Sequence, residues 1–270
     1  MKKSYTTVLT IAGSDGSGGA GIQADIKTFA ALQCYGLSVI TVLTAQNTMG
    51  VTALYPLSKK CVTEQFRALA SDMAIDAVKI GMLGNASIID AVTALLKELK
   101  GDPPVILDTV LASSGGATLL PPEAVHLMKE KLFPLASLIT PNLPETAALL
   151  GLKYPPATPE AIEDAARRLR ETGATSVLVK GGHGEGEECH DCLLHENHYF
   201  WFSSKRINSC NTHGTGCTLS SAIAAFMAKG LTIDCAVKEA KKWAGEALKA
   251  GAEYHLGKGN GPLHHSYRQW

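Results

Sequence analysis

The stretch Asn211–Thr218 combines residue types that bind anions. It reads Asn-Thr-His-Gly-Thr-Gly-Cys-Thr, and an apolar helical segment follows it directly. Glycines expose backbone amides, and the unpaired amides and dipole of a helix start favour a negative group such as a phosphate. A Walker-type loop is excluded, because no Gly-Lys-Ser/Thr follows the glycines. The stretch therefore predicts a site for a phosphoryl group in transfer.

Cys217 falls in the first turn of that predicted helix. The positive end of a helix favours a thiolate over a thiol, so we expect Cys217 to accept the proton of an attacking hydroxyl. The alternative is a small buried side chain, which is the commoner fate of cysteine. The glycines on either side favour the functional interpretation.

Polar side chains end three of the apolar runs that we predict as strands. The carboxyl ends of parallel strands share one edge of a sheet, where α/β proteins bind ligands. Two carboxylates and a lysine suit a triphosphate with Mg²⁺. In chain order the four residues are Asp108, Asn142, Glu145 and Lys180. For Asn142 and Glu145, the spacing alone makes a role in helix capping equally plausible.

A second glycine-rich segment, Gly13–Gly21, contains the dinucleotide-binding pattern G-x-G-x-x-G. That fingerprint needs an acidic residue at the end of the next strand to hold a ribose, but this strand ends at Gln46-Asn47 and the next carboxylate is Glu64. Two interpretations of the segment stay open. One is a tight turn with a solvated aspartate, and the other is a loop around a polar heterocycle, ringed by Asp15, Asp25 and Gln46.

Short apolar runs alternate with segments of helical periodicity along most of the chain. This alternation predicts an α/β fold wound around a mostly parallel sheet. The predicted strands are Thr6–Ala12, Leu37–Leu43, Ala77–Ile80, Val105–Asp108, Leu138–Thr140 and Ser176–Lys180. The predicted helices are Ile22–Gln33, Thr63–Ser71, Ser87–Lys100, Glu123–Lys131 and Pro159–Thr172, with Ser87 and Thr158 as N-caps.

The last third of the chain follows a different pattern. Two short runs, Cys192–His195 and Tyr199–Phe202, flank a polar turn and predict a small antiparallel hairpin. Two Ala-rich segments without proline, Gly216–Lys229 and Ile233–Gly251, predict long packed helices. Since no repeat or linker interrupts the chain, we expect one domain over residues 1–270.

Composition narrows the class of protein. The chain has 25 Lys and Arg against 25 Asp and Glu, so no broad field attracts nucleic acid or an anionic membrane. Seven scattered cysteines indicate free thiols in a reducing compartment. The Cys189–Cys192 pair is a lone CxxC, and zinc would need two more ligands. The opening residues are too short for a secretion signal or membrane span, so we expect a cytoplasmic protein.

Taken in order, several segments resemble the hydroxymethylpyrimidine and phosphomethylpyrimidine kinases of thiamine biosynthesis, in the ribokinase-like superfamily. The resemblance implies a three-layer αβα sandwich, ATP and Mg²⁺ as cofactors, and a homodimer. The segments that carry it are Ile11–Asp15, Gly18–Asp25, Ala45–Thr48, Lys79–Leu83, Leu107–Val110, Ile139–Glu145, Lys180–His183, His213–Thr218 and Gly261–His265.

The resemblance also implies roles for single residues. Cys217 replaces the aspartate base of the wider superfamily, which is acceptable because a loose transition state needs little help from a strong base. Gly214 and Gly216 shape the anion hole. The pyrimidine pocket is lined by Gly13, Asp25, Gln46, Met82 and Val110, of which Gln46 offers an amide that suits an aminopyrimidine edge. Water-mediated Mg²⁺ binding falls to Asp108 and Glu145, and contacts to the ATP phosphates fall to Asn142, Lys180 and Thr215.

One segment departs from the family pattern. Family members often carry a lysine after the metal-side aspartate, whereas residues 111–116 read Leu-Ala-Ser-Ser-Gly-Gly. A closing lid protects a kinase from wasteful ATP hydrolysis, so we expect leaky closure here.

The resemblance implies a kinase that uses ATP and Mg²⁺ to phosphorylate 4-amino-5-hydroxymethyl-2-methylpyrimidine and then its monophosphate. The alternative within the class is a pyridoxine, pyridoxal or pyridoxamine kinase, and Gln46 favours the pyrimidine. A distant alternative, an NAD-dependent oxidoreductase, rests on the glycine loop alone. A vitamin-binding protein without turnover is a third alternative, against which Cys217, Asp108 and Lys180 argue.

Overall fold

The apolar runs of the sequence form one central sheet in a computed structural model, which describes residues 3–113, 116, 118–182, 184 and 186–269. The spatial order of its nine strands is β3-β2-β1-β4-β5-β6-β7-β8-β9. The strands are β1 (Thr7–Asp15), β2 (Tyr35–Asn47), β3 (Gly50–Pro56), β4 (Ala77–Ile80), β5 (Val105–Leu107), β6 (Leu138–Ile139), β7 (Val177–Val179), β8 (Glu188–His195) and β9 (His198–Lys205).

Strands β1, β2 and β4 to β7 run parallel, while β3 at one edge and the β8–β9 hairpin at the other are antiparallel. The predicted mostly parallel sheet with a late hairpin is therefore confirmed. Its turn is the predicted polar pair, Glu196 and Asn197, both at positive φ.

Helices cover both faces of the sheet. They are α1 (Gly21–Ala31), α2 (Lys59–Ala70), α3 (Ala86–Leu96), α4 (Pro122–Lys131), α5 (Leu143–Leu150), α6 (Pro159–Arg170), α7 (Thr215–Ala228) and α8 (Ile233–Gly251). Alternating strand side chains point to opposite faces. Leu9 and Ile11 pack in one core with α2, α3, α4 and α6, whereas Val8 packs in the other with α1, α7 and α8. This arrangement confirms a three-layer αβα sandwich.

Two elements escaped the sequence prediction. β3 is an edge strand whose side chains are largely exposed, so it lacks an apolar pattern. α5 is short, and its second residue is Pro144, which suits the first turn of a helix but interrupts a periodic pattern. Both elements lie beside segments that border the carboxyl edge of the sheet.

One of the two predicted N-caps was wrong. Asn85, which has an extended backbone, accepts a hydrogen bond from the amide of Ile88 and caps α3, so Ser87 lies inside the first turn. The other prediction is confirmed, because Thr158 accepts from the amide of Ala161 at the start of α6. Among the described residues, no helix is both long and apolar enough to cross a membrane.

Candidate active site

A cavity of about 580 Å³ opens at the carboxyl edge of the parallel strands. That volume lies within the range of small-molecule sites. Its wall is formed in part by thirteen of the residues that the sequence nominates: Gly13, Asp15, Gln46, Met82, Asp108, Val110, Asn142, Glu145, Lys180, Gly214, Thr215, Gly216 and Cys217. Asp25 is the nominated residue that does not line it.

The start of α7 forms one wall of the cavity. Gly214 is its N-cap, at a φ of 81° that favours glycine, and no side chain caps the first turn. Thr215 donates its hydroxyl to the Thr212 carbonyl oxygen at 2.8 Å. A Cβ added at Gly216 would lie 3.3 Å from Lys180 Nζ and 3.7 Å from Asp108 Oδ2. The helix start, the lysine and the carboxylate therefore meet at one point.

Asp108 and Lys180 form an ion pair at the cavity wall. Lys180 Nζ donates to Asp108 Oδ1 at 2.8 Å, and the hydroxyls of Thr140 and Ser220 donate to the same carboxylate. Burial pushes the pKa of Asp108 upward, but Lys180 and Lys79 outweigh it and hold the pKa below its usual value. Burial likewise works against the Lys180 ammonium, and Asp108 and Glu145 reverse that effect, so the pKa of Lys180 is raised. Both groups are charged at neutral pH.

Asn142 and Glu145 cap α5, as the capping interpretation predicts. The Asn142 side-chain oxygen accepts from the backbone N–H of Glu145 at 2.8 Å, and Glu145 Oε2 accepts from the backbone N–H of Asn142 at 2.9 Å. Glu145 also accepts from the Thr109 hydroxyl at 3.0 Å. Both residues still line the cavity, so capping fixes them at its edge and leaves their predicted nucleotide and metal roles as predictions.

The donor set fits a Mg²⁺ ion that arrives with a nucleotide. Among the described residues, no group of three or more His, Cys, Asp or Glu is placed to hold a metal. Mg²⁺ keeps several waters and uses one or two carboxylates together with substrate phosphates. Asp108 and Glu145 border the cavity and can accept hydrogen bonds from such waters.

Cys217 sits in the first turn of α7 and faces the cavity. Burial raises the pKa of its thiol to about 11, and the opposing effect of Lys79 offsets only part of this shift. The expectation that the helix start favours a thiolate is therefore wrong, because burial outweighs the helix start. The predicted role in proton transfer is not decided by this value.

Asp25 requires a correction. Its carboxylate is fully buried on the inner side of α1, and Lys79 Nζ contacts both of its oxygens at 2.9 Å. The hydroxyls of Thr10 and Ser221 also donate to it, each at 2.6 Å. Asp25 thus lies behind the pocket wall, where it pairs with Lys79.

Lys79 was missed as a site residue, although it lines the floor of the cavity. The sequence holds one signal for it, since a lysine in the buried strand Ala77–Ile80 must have a partner. Burial lowers the pKa of Lys79, but Asp25 and, more weakly, Cys217 and Asp108 more than reverse this, so the pKa is raised.

One end of the cavity suits a flat, polar ring. Met82 packs there with Val42, Leu119 and Val110. A Cβ at Gly13 would come within 3.2 Å of Met82 Sδ, so glycine leaves room for the sulfur. Gln46 supplies the amide at this end, and His213, which carried no predicted role, contacts it. His213 was detectable only as part of the Asn211–Thr218 motif.

The opposite end lies between the β8–β9 hairpin and α8. Lys241 and Asp191 form a buried ion pair with Nζ 2.5 Å from Oδ2, and Asp191 accepts from the Gly181 amide at 2.8 Å. This pair holds the turn that follows Lys180, and the sequence did not indicate it. The other residues that line this end are Cys189, Ser204, Lys205, Arg206, Ile207, Ala244, Gly245 and Leu248.

The predicted lid is described only in part. Ala112 and Ser113 line the cavity, and Ala112 forms a bridge with Thr118. Ser114 and Gly115 of this segment, and His183 of the segment Lys180–His183, lie outside the described residues. The prediction of leaky closure therefore stays a prediction.

An open helix start, a lysine and two carboxylates around a cavity at the edge of an αβα sandwich define the class as a phosphotransferase. The family model described as phosphomethylpyrimidine kinase matches residues 15–264. The hydroxymethylpyrimidine/phosphomethylpyrimidine kinase of Escherichia coli (strain K12) is 45% identical over 262 residues, which cover 97% of this chain and 98% of that protein. The chain belongs to the phosphomethylpyrimidine kinase family.

Two solved structures support the same fold. The phosphomethylpyrimidine kinase of Clostridium difficile 630 has a TM-score of 0.79 at 41% identity and covers 90% of this chain and 99% of its own. The pyridoxal kinase of Bacillus subtilis, solved as an ADP complex, has a TM-score of 0.89 at 34% identity over 98% and 99% of the two chains. These likenesses bear out the ribokinase-like architecture and the kinase activity.

Proposed function

We propose that this protein is a single-domain kinase that uses ATP and Mg²⁺ to phosphorylate 4-amino-5-hydroxymethyl-2-methylpyrimidine and then its monophosphate, for thiamine biosynthesis. One observation carries the proposal: a Cβ at Gly216 would lie within 3.7 Å of both Lys180 Nζ and Asp108 Oδ2. A phosphoryl group at that point meets helix amides, a cation and a metal-side carboxylate together. The E. coli relative is named for both phosphorylation steps.

The two ends of the cavity bind different substrates. Gln46 and Met82 receive the pyrimidine, and the end between the hairpin and α8 receives the nucleoside of ATP. The hydroxyl oxygen attacks the γ-phosphorus and ADP leaves. The hydroxyl proton passes to Cys217 in those molecules whose thiol is ionised, a fraction that grows as the pH rises toward the pKa of about 11. Since the transition state is loose, positioning and charge stabilisation by the α7 start and Lys180 supply most of the rate.

Asp108 and Glu145 would hold Mg²⁺ through water, and Asn142 and Thr215 would face the ATP phosphates. Bound Mg²⁺ would supply neutralisation of phosphate charge. Lys180 is paired with Asp108, which keeps its ammonium charged at the cavity wall where the phosphates bind.

The direct test incubates purified protein with ATP, Mg²⁺ and the pyrimidine, and follows products by mass spectrometry. We expect the monophosphate first and the diphosphate later, and neither in the presence of excess EDTA. Absence of both products at high enzyme concentration, with ATP binding intact, would reject the proposed substrate.

A second candidate function is pyridoxal phosphorylation, which the 34% identity to the Bacillus subtilis pyridoxal kinase favours. The same assay with pyridoxal decides between them. We expect a higher kcat/KM for the pyrimidine, because the Gln46 amide matches an adjacent amino group and ring nitrogen. A higher kcat/KM for pyridoxal would reverse the assignment.

We also propose a homodimer in the cytoplasm. All seven cysteines are free, which fits a reducing compartment. Light scattering of the purified protein should give twice the mass of the 28.5 kDa chain. A monomeric mass would reject the dimer and leave the kinase assignment intact.

A further inference from the structure

His213 and Asp15 line the pyrimidine end of the cavity beside Gln46. The His213 ring is buried, and its Nε2 lies 2.8 Å from Asp15 Oδ2 and 3.3 Å from Nε2 of Gln46. A Cβ at Gly19 would collide with the ring, so the absence of a side chain there makes room for the imidazole.

Asp15 is held as an acceptor at a fixed place. Its carboxylate accepts from the Ser17 amide at 2.9 Å, the Ser17 hydroxyl at 2.7 Å and the Ala20 amide at 2.9 Å. Burial raises its pKa, but the hydrogen bonds with His213, Ser17 and Ala20 prevail and lower the pKa to about 2. Asp15 is therefore a carboxylate at any pH at which the enzyme works.

A carboxylate in that position decides which atom of His213 carries a hydrogen. Imidazolium has a hydrogen on both ring nitrogens, and neutral imidazole has it on the one that meets an acceptor. In either state, Nε2 of His213 carries a hydrogen toward Asp15. Nε2 therefore has no lone pair to offer to Gln46.

One contact of Gln46 is then unfavourable: an amide nitrogen faces the N–H of His213, which sets donor against donor. A half-turn of the amide about its last bond removes this repulsion, because the oxygen then shares the single N–H of His213 with Asp15 as a second, weaker acceptor. The nitrogen then donates to the Thr44 hydroxyl oxygen, whose own hydrogen is directed to the Ser14 carbonyl oxygen 2.9 Å away.

We propose that Asp15 and His213 fix the direction of the Gln46 amide, which makes His213 a specificity-determining positioning residue. The amide has one lone pair and one hydrogen left, both directed along its free edge. On that edge the acceptor lies on the His213 side and the donor on the Thr44 side.

The free edge of the Gln46 amide selects one arrangement of donor and acceptor on the substrate. This part of the inference rests on the proposed function. A 4-aminopyrimidine offers an amino N–H beside a ring nitrogen, which matches an acceptor beside a donor. The 4-oxo analogue of the same pyrimidine offers a carbonyl beside a ring N–H, which is the reverse. A fixed amide binds the first and rejects the second, whereas a free amide could turn and bind either.

The test compares kcat/KM for the amino and oxo compounds in the wild type and in variants. A site built to pair polar groups discriminates by orders of magnitude, so we expect the wild type to prefer the amino compound by about 10²-fold or more. His213→Met removes the donor and should lower that ratio at least about tenfold, through the KM of the amino compound and a gain on the oxo compound. His213→Gln restores a terminal N–H and should recover most of the ratio.

Thr44→Val provides the second arm, because it removes the acceptor on the other side with little change in volume. It should lower the same ratio without any change at His213. Circular dichroism melting confirms that each variant is folded. A merely structural His213 would reduce kcat/KM for both compounds equally, and that result would overturn the proposal, as would a wild type that does not discriminate.

Failure of the proposed function leaves a different signature. If the wild type phosphorylates neither compound, the kinase substrate is wrong, and calorimetric dissociation constants for the two compounds still test the amide direction. A wild-type binding preference that His213→Met abolishes then supports it. Equal binding, or no binding of either, rejects it.

Discussion

Two lysine–aspartate pairs, Lys79–Asp25 and Lys180–Asp108, lie near the same edge of the sheet but differ in exposure. Lys79 and Asp25 are both completely buried, whereas Lys180 keeps 12% of its side chain exposed beside the nearly buried Asp108. Protein donors occupy both oxygens of each carboxylate: Asp25 accepts from Lys79, Thr10 and Ser221, and Asp108 accepts from Lys180, Thr140 and Ser220. The difference lies in the position of the carboxylate, because Asp108 borders the cavity and Asp25 does not.

The comparison shows that residue type and strand position alone do not distinguish a structural ion pair from a functional one. Both lysines end up charged, because a carboxylate offsets the effect of burial on the pKa in each case. What separates the pairs is exposure: Lys79 reaches the cavity floor, but neither it nor Asp25 has any exposed side-chain area, whereas Lys180 and Asp108 are partly exposed. The sealed pair should govern stability, and the open pair should govern turnover.

The charges of Lys79, Asp25 and Asp108 all act on the pKa of Cys217. Replacing Cys217 should have the largest effect on turnover. If its thiolate accepts the hydroxyl proton, Cys217→Ala should lower kcat by about 10²–10⁴-fold. Because the pKa of the thiol is about 11, wild-type kcat/KM should rise between pH 7 and pH 9.5. The variant should lose that rise, and near-normal turnover in it would assign Cys217 to packing.

Breaking the sealed pair should unfold the protein more easily. Lys79→Met leaves the Asp25 carboxylate buried without its counter-charge, so we expect a loss of about 3–5 kcal/mol in the free energy of unfolding, measured in urea. The double variant Asp25→Leu with Lys79→Met should recover most of that loss, because no charge remains buried. If Lys79→Met keeps full stability, the pair has no structural role.

Breaking the open pair should do the opposite. Asp108→Asn keeps the shape and one acceptor oxygen but removes the charge that we assign to the metal side, so kcat should fall by about 10²–10³-fold. The melting temperature should change far less than in Lys79→Met. A variant with normal turnover and a large drop in melting temperature would place Asp108 with Asp25 as a structural residue.

The smallest effect concerns the cap of α5. Asn142→Ala should cost about 1 kcal/mol of unfolding free energy, because the Glu145 amide loses its acceptor. Asn142→Asp still caps and serves as the control for stability. A rise in the KM for ATP in both variants would support contact with the phosphates, and an unchanged KM would restrict Asn142 to capping.

Much of the site could be predicted because parallel strands place their carboxyl ends at one edge. Asp108 and Lys180 follow buried apolar runs, and the glycines before α7 mark an open helix start. These local signals were sufficient to bring Asp108, Lys180 and Gly214–Cys217 together, as the structure confirms. The strand and helix periods predicted the layers for the same reason.

The rest depends on contacts between distant segments. Nothing in the sequence near Asp25 shows that Lys79 and Ser221 converge on it, and Gln46 gives no sign that His213 contacts it. The edge strand β3 carries no periodic pattern because solvent covers most of it. The pKa of Cys217 depends on burial, which a helix position alone does not reveal.

The loops that carry Gly19 and Gly214 touch backbone to backbone, since a Cβ at Gly214 would overlap the Gly19 carbonyl oxygen. One loop borders the ring end of the cavity, and the other borders the transfer point. If the two ends hold the acceptor and the nucleotide as proposed, main-chain atoms set part of the separation between the two substrates. Replacing side chains of the ring pocket should then change which acceptor binds and leave this main-chain contact in place.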